Sequence, residues 1–283
     1  MIKISPIIVF HLFSLTLGMA IAPQLAPSHA APTPAVAVTP QAVDFAPHFE
    51  ALDIEGSILI YDQKGDRFFE HNPQRNRTAF PTASTFKIFN SLVALESGVL
   101  PHDLAVLTWD GVPRMIPSWN RDLNLREAFK ISAVWFYQVI ARRVGHQQMQ
   151  QYIEAAQFGN QRIGPPEEID QFWLNGTLRI TPRQQVEFLQ RLQAGDLPFS
   201  GRSLTLVKDL MIAEQTPNYT IRAKTGWYGY GEQGVRQIGW YVGYVETADN
   251  VYFFATNLDM DKPEAAAARL QLTRLCLQTL GVL

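Results

Sequence analysis

The order of hydrophobic and polar positions predicts strands near both ends of the chain and helices between them. Residues 56–70 predict a β-hairpin, because two strand-like runs, GSILIYD and RFFE, flank a polar turn. A helix is predicted to begin at Ser84 and to end at Gly98, since apolar residues recur between them at helical spacing. The stretch from about 103 to 193 then has a mainly helical pattern.

Individual elements can be placed within the second half of the chain. Two helices separated at Gly145 and a third after Pro182 are predicted, over residues 134–144, 147–156 and 183–192. After residue 200 the pattern turns to strands, which are rich in β-branched and aromatic residues, at 220–225, 237–246 and 250–257. A final amphipathic helix is predicted from Pro263 to about Leu280.

This order of elements predicts an α/β fold of the α+β type. Hairpins dominate, so the sheet should be mostly antiparallel, flanked by helices and accompanied by a helical subdomain. The sheet subdomain is expected at about 45–85 and 200–283, and the helical subdomain at about 86–199. The chain shows no internal repeat.

The first thirty residues are unlike the rest. Lys3 is their only charge, a largely apolar run follows it, and small residues precede Ala31. This pattern is typical of a secretory signal peptide, so residues 1–30 are expected to be removed on export to the periplasm. A membrane anchor is the alternative, because the apolar run nearly reaches spanning length. Residues 31–44, rich in Pro and Ala, are predicted to form a flexible leader.

Composition excludes some classes of function. The formal net charge is -2, and no basic patch or stripe indicates a nucleic-acid partner. The single cysteine cannot form an internal disulfide, so the exported fold must rely on its core. After signal removal no membrane association is expected, and nothing in the pattern indicates an oligomeric state.

The first candidate for chemistry is the Ser-x-x-Lys motif formed by Ser84 and Lys87. Residues three apart on a helix share a face, so the amine can reach the hydroxyl. At a helix start, Ser84 would also meet free backbone N–H groups that suit a developing oxyanion. The motif alone is weak evidence, because a chain of this length holds about one by chance and an N-cap serine explains it equally well.

Two further motifs follow in a recognisable order. Lys224-Thr225-Gly226 lies on a predicted strand, where a cation and a hydroxyl can bind a substrate carboxylate and Gly permits close approach. Ser132 lies between the two other motifs, at a predicted helix start. Ser-x-x-Lys, then Ser-x-x, then Lys-Thr-Gly is the motif order of the penicillin-recognising serine enzymes.

Longer segments around these motifs resemble the class D, or oxacillinase-type, serine β-lactamases. PTASTFKIFNSLVALESG resembles their nucleophile segment, SAVWFYQ their second motif, and AKTGW with the following strand pair their third. Residues 158–160 (FGN) match their Tyr/Phe-Gly-Asn element, and residues 170–174 (DQFWL) match their tryptophan segment. The likeness covers about residues 55–283. It implies a serine β-lactamase or penicillin-binding-protein transpeptidase-like fold for a catalytic domain at 45–283.

The resemblance implies hydrolysis of small β-lactam antibiotics through an acyl-enzyme on Ser84. Lys87 would react with CO2 to form N6-carboxylysine, the general base of both steps; no metal and no cofactor besides CO2 or bicarbonate is implied. That reaction needs a neutral amine, whereas free lysine has a pKa of about 10.4, and burial can lower it by about 3–5 units. The groups expected around this lysine are Phe86, Val134, Leu174 and the indole N–H of Trp173.

The family's substrate contacts also fall on residues of this chain. Ser132 would relay a proton to the leaving nitrogen, and Val134 and Gly226 would line the site. The substrate carboxylate would be held by Lys224, Thr225 and Arg269. The oxyanion hole would be formed by the backbone N–H groups of Ser84 and Trp227.

Three positions vary from the family's commoner pattern. Phe158 replaces Tyr, so no hydroxyl there is essential. Tyr137 stands where many members carry Phe, and its hydroxyl must find a partner or face water. Arg269 lies at an alanine-rich helix start, where the alternative interpretation is a solvated helix residue.

Other hydrolase classes fit less well. The four histidines beyond residue 30 are far apart and form no His-x-His-x-Asp cluster, unlike those of a metallo-β-lactamase. No Gly-x-Ser-x-Gly surrounds Ser84, as an α/β-hydrolase would need. Two alternatives stay open. A DD-peptidase-like protein would carry Ser-x-Asn where this chain has Val134, and a non-hydrolysing penicillin-binding sensor would be expected to carry membrane spans and a signalling domain.

Overall fold

The computed structural model describes residues 43–283 of the chain. The predicted signal peptide, residues 1–30, and most of the predicted leader lie outside the described residues. Within residues 43–283, no helix combines the length and the apolar character that crossing a membrane requires.

Within the described residues, strands lie near both ends and helices between them, as the sequence pattern predicts, together with short elements that it did not place. The helices of the described residues are α1 (Ala46–Leu52), α2 (Pro73–Asn76), α3 (Lys87–Glu96), α4 (Leu125–Ile131), α5 (Val134–Val144), α6 (His146–Ala155), α7 (Pro182–Ala194), α8 (Gly201–Leu210) and α9 (Ala265–Thr279). The strands are β1 (Gly56–Asp62), β2 (Arg67–His71), β3 (Phe80–Pro81), β4 (Val106–Leu107), β5 (Leu123–Asn124), β6 (Arg179–Ile180), β7 (Ile212–Gln215), β8 (Tyr219–Tyr228), β9 (Ile238–Thr247) and β10 (Val251–Asp259).

The main sheet has six strands in the order β2-β1-β10-β9-β8-β7. Every neighbouring pair is antiparallel, as the hairpin-rich pattern predicts. β7 is short and pairs only with Thr220–Arg222 of β8, so the remainder of that edge of β8 is not covered by a strand. The uncovered part carries Lys224-Thr225-Gly226.

Apolar side chains cover both faces of the sheet, because successive residues of a strand point to opposite faces. In β1, Ile58 and Ile60 belong to a core shared with α1 and α9, while Leu59 belongs to the core shared with the remaining helices. Helix α3 lies at the centre of the second core and is buried from Lys87 to Leu95. The sheet-and-helix fold predicted from the sequence is therefore confirmed, whereas the exact subdomain boundaries stay a prediction.

Local details differ from the expectations. Residues 201–210 form helix α8, an element that the sequence analysis did not place: Ser200 caps the helix, and Leu204 and Val207 bury one helical face. Ser132 does not start a helix: it ends α4 in the left-handed conformation, and Val134 begins α5. Ser84 lies in a single 3-10 turn that precedes α3.

Candidate active site

The turn that carries Ser84 has a strained backbone. Ala83, immediately before it, is fully buried and has a φ of 47°, a conformation that costs a residue with a Cβ on the order of 1–2 kcal/mol. The N–H of Ala83 donates to the carbonyl of Trp173 over 3.0 Å. The Trp240 indole donates to the carbonyl of Pro81 over 2.8 Å, which ties the approach to the turn to the main sheet. The surrounding fold thus compensates for the strain and fixes the position of Ser84.

A buried glutamine supports the same turn, and the sequence motifs did not reveal it. Gln185 of α7 donates to the Thr85 hydroxyl over 2.9 Å, and that hydroxyl donates to the carbonyl of Thr82 over 2.7 Å. Gln185 and Thr85 are both buried. The only signal in the sequence was a polar residue on the apolar face of a predicted helix.

Lys87 lies directly beneath Ser84. The Lys87 Nζ is 2.6 Å from the Ser84 Oγ, and the lysine is fully buried. Burial places the pKa of Lys87 well below its usual value, and the charge of Lys224 lowers it further. Lowering this pKa favours the neutral amine, the form that can take the proton of the serine hydroxyl.

Tyr137 and Ser91 pack against this lysine. The Ser91 hydroxyl donates to the carbonyl of Lys87 over 2.7 Å and lies 3.0 Å from the Tyr137 hydroxyl. The Tyr137 ring centroid is 5.4 Å from the Lys87 Nζ. The extra hydroxyl noted in the sequence therefore has a partner within the core.

Of the groups expected around Lys87, Phe86 and Trp173 are fully buried and stack with ring centroids 5.5 Å apart. Val134 and Leu174 are half-buried and line the open cleft above them. The Trp173 indole N–H is buried without a hydrogen-bond partner among the described residues. A buried donor left unpaired costs about 1–3 kcal/mol, so this position suits an added acceptor.

Lys224 links the edge of β8 to the turn between α4 and α5. Its Nζ donates to the Ser132 Oγ over 3.1 Å and to the carbonyl of Thr225 over 3.0 Å. Burial, assisted by the charge of Arg269, lowers the pKa of Lys224 to about 7. Ser132 has a φ of 60°, a second strained position beside the reacting groups.

Gly226 is required where β8 passes the nucleophile turn. A Cβ at this position would lie 3.1 Å from the Thr85 Cγ2 and 3.3 Å from the Thr85 backbone nitrogen. The glycine therefore lets the strand approach the protein's own turn, a role that the sequence interpretation had assigned to substrate approach.

Arg269 is not a solvated helix residue. Only 9% of it is exposed, and its guanidinium donates to the carbonyl of Gly226 over 2.7 Å and lies 5.4 Å from the Trp227 ring centroid. Burial lowers the pKa of Arg269 to about 10. Helix α9 thus presents this cation to the same strand that carries Lys224.

A cleft of about 560 Å³ joins these groups. Of the residues expected from the sequence, it is lined by Ser84, Ser132, Val134, Leu174, Thr225, Gly226, Trp227 and Arg269. Its rim adds residues that no motif identified, Met115, Ile116, Trp119, Ile131, Gly229, Tyr230 and Glu232. Most of these lining residues are apolar.

The site holds positive charge that the protein does not neutralise. Among residues 43–283, the side-chain ion pairs include none of Lys87, Lys224 and Arg269. Arg269 is therefore a buried cation without a carboxylate partner, and Lys224 becomes one when it binds a proton. Such cations are costly, and they favour an anionic ligand. The geometry therefore combines a serine nucleophile, an adjacent base and a carboxylate-binding edge.

Known proteins share this sequence and this fold. The penicillin binding protein transpeptidase domain matches residues 52–274. Beta-lactamase OXA-48 of Klebsiella pneumoniae is 40% identical over 227 residues, which cover 80% of this chain and 84% of the relative. Beta-lactamase OXA-5 of Pseudomonas aeruginosa is 37% identical over 235 residues, 83% of this chain and 87% of the relative.

Two solved structures show the fold at high similarity. The class D β-lactamase YbXI from Nostoc superposes with a TM-score of 0.82 at 56% identity, covering 85% of this chain and 100% of that one. The C-terminal domain of the Bacillus licheniformis BlaR penicillin-receptor superposes with a TM-score of 0.79 at 29% identity, covering 85% of this chain and 96% of that one.

Proposed function

We propose that this chain, which belongs to the class D β-lactamases within the penicillin-binding transpeptidase family, hydrolyses β-lactams through an ester on Ser84. As a β-lactamase it is a hydrolase that acts on the cyclic amide. The observation that carries the mechanism is the 2.6 Å contact between the Ser84 Oγ and a fully buried Lys87. A neutral amine at this distance is within reach of the serine proton.

In the acylation step, the Ser84 Oγ attacks the carbonyl carbon of the β-lactam while the base formed at Lys87 takes the hydroxyl proton. The ring C–N bond breaks, and the nitrogen receives a proton through Ser132, whose Oγ is hydrogen-bonded to the Lys224 Nζ. The backbone N–H groups of Ser84 and Trp227 would bind the developing oxyanion, and the close packing of β8 on the nucleophile turn supports this role.

In the deacylation step, water attacks the ester and the Ser84–acyl bond breaks, which returns a proton to Ser84. A base at Lys87 is needed to take the proton of the attacking water. Full burial of Lys87, its low pKa and the unpaired Trp173 indole N–H fit carboxylation of this amine by CO2. The carbamate would supply a base for both steps, held by Trp173 and the apolar side chains around it.

Lys224, Thr225 and Arg269 would bind the carboxylate that β-lactams share. The uncompensated charges of Lys224 and Arg269 support this role, as does the position of Thr225 on the open edge of β8. The apolar rim at Trp119 and Tyr230 would receive the substrate's side chain.

We expect Arg269→Ala to raise KM about 10- to 100-fold with a smaller change in kcat, because a charge-assisted hydrogen bond present in both ground and transition states is lost. Steady-state kinetics with several β-lactams would measure this effect. The matched control is Arg274→Ala, on the same helix, whose guanidinium pairs with Glu214. An unchanged KM for every substrate would remove Arg269 from the binding site.

The likeness to the BlaR receptor domain favours one second candidate, a penicillin-binding sensor that is acylated without turnover. Mixing the protein with a chromogenic β-lactam in a stopped-flow instrument separates the two functions. A hydrolase is expected to show continuing turnover after any burst. A burst of one equivalent followed by no further product would identify a sensor and contradict the proposal.

Export is proposed from the N-terminal sequence. The basic start, the apolar run and the small residues before Ala31 support cleavage near residue 30 and a periplasmic location. Intact-mass measurement of the protein from periplasmic extracts would test this, and a mature chain that still began at Met1 would contradict it.

A further inference from the structure

A second cavity lies on the other side of Lys224. It has a volume of about 540 Å³ and is bounded by α4, the end of α8, β7 and the edge of β8. Thr225 lines both this cavity and the catalytic cleft. β7 pairs only with Thr220–Arg222, and beyond the Ala223 N–H, which donates to the carbonyl of Met211 over 2.7 Å, no strand covers this edge of β8. None of the mechanism above uses this cavity.

Lys224 belongs to the second cavity and also contacts the catalytic one. Its side chain lines the second cavity, with Nζ 5.6 Å from the ring centroid of Phe129. The same Nζ donates to Ser132, which lines the catalytic cleft. A charge placed in the second cavity would therefore act on a cation that also faces the substrate.

The charges around the second cavity favour an anion. Its only acidic side chain is Asp209, and this carboxylate is already paired with Arg126, which also pairs with Asp103. Lys130 is exposed on the same wall and takes part in no ion pair among residues 43–283. Lys130 thus provides a positive charge that none of these carboxylates compensates, and Lys224, whose pKa is about 7, adds a second when it is protonated. An anion bound beside Lys224 would favour that protonated form.

The rest of the lining is suited to an apolar group. Leu270 of α9 is 45% exposed and Ile212 of β7 is 37% exposed, both at this cavity. Tyr241 and Phe129 form more deeply buried parts of the wall. An occupant with one negative group and one aromatic or alkyl group would match both the positive charges and these apolar side chains.

We propose that this cavity is a second binding site for a small amphipathic carboxylate, and that its occupant modulates substrate binding through Lys224. The anion competes for the positive charge of Lys224, so the substrate carboxylate is bound less tightly while the cleft stays open to substrate. Binding itself does not depend on the proposed hydrolysis, whereas the effect on KM rests on it.

The probe is 4-phenylbutyrate, which has no β-lactam ring. Isothermal titration with the wild-type protein is expected to show binding, and Lys130→Glu and Leu270→Asp are expected to weaken it by about tenfold or more. Arg162→Glu serves as the charge-reversal control, because Arg162 is exposed and lies outside the cavity, and it should leave the affinity unchanged. Melting temperatures would establish that all three variants are folded.

Kinetics provide the second measurement. At increasing 4-phenylbutyrate, the KM of a chromogenic β-lactam should rise to a plateau, because probe and substrate bind together. The proposal would be overturned if the KM rose without limit and if Arg269→Ala lost affinity for the probe while Lys130→Glu kept it. These results would place the probe in the catalytic cleft. Absence of calorimetric binding to the wild type would overturn it as well. If binding of the probe depended on Lys130 but the protein did not turn over β-lactams, the second binding site would stand and only the proposed hydrolytic function would be contradicted.

Discussion

Ser84→Ala is expected to lower kcat/KM for β-lactams by at least about 10⁴-fold, because among the described residues the Ser84 hydroxyl is the only one hydrogen-bonded to the Lys87 Nζ. Intact-mass spectrometry after mixing with a slow β-lactam should show one adduct on the wild type, within the peptide that contains Ser84, and none on the variant. The two measurements together distinguish loss of the nucleophile from weaker binding.

The control for this variant is thermal unfolding. Ser84 is only partly buried, and the hydrogen bond of its side chain is to the Lys87 Nζ. The strained turn is fixed through the Ala83 N–H and the Thr85 hydroxyl, which the substitution leaves in place. The melting temperature should therefore stay close to that of the wild type. A covalent adduct that persisted in Ser84→Ala would show that another group is acylated, and the proposed mechanism would fail.

Trp173→Phe is expected to slow deacylation by about two orders of magnitude while acylation is partly retained, so that the acyl-enzyme accumulates. Phenylalanine keeps a ring stacked on Phe86 but removes the indole N–H, the donor that has no partner among the described residues. Rapid quenching followed by mass spectrometry would measure the accumulated acyl-enzyme. Trp173→Ala should have a larger effect on unfolding, because it also leaves a cavity that costs about 3–5 kcal/mol.

Carbon-13 NMR with labelled bicarbonate would test the chemistry independently of turnover. We expect a carbamate signal in the wild type and a weaker one in Trp173→Phe. Protonation of the amine competes with carboxylation, so the signal and the activity should both fall as the pH is lowered and recover on addition of bicarbonate. No signal in the wild type, together with turnover that did not depend on bicarbonate, would mean that Lys87 acts as a free amine.

Local sequence was sufficient for much of the fold. The predicted helix 134–144 matches α5 at both ends, and the hairpins of β1–β2 and β9–β10 were visible in strand-like runs flanking polar turns. These elements are determined by periodicity and turn residues within a few positions, which a single sequence displays. Helix α8 was not placed, although Ser200 is a local N-cap signal, because only Leu204 and Val207 mark its buried apolar face.

The residues of the candidate site were identified from motif order and family resemblance, but their burial and their pKa values could not be. The sequence placed Ser84 and Lys87 three residues apart, and only the packed core buries that lysine completely and lowers its pKa. Likewise, residues 84, 132, 224 and 269 are far apart in sequence, and they meet because β8 passes the nucleophile turn while α9 packs beside the strand.

What the sequence by itself determined, then, was the identity and order of the reacting groups, since those are properties of residue type and spacing. Their charge states, the strain at Ala83 and Ser132, the support from Gln185 and the cavity behind Lys224 were decided by the tertiary structure. Desolvation and strain depend on neighbours that are distant along the chain, and a local pattern contains no record of which neighbours those will be.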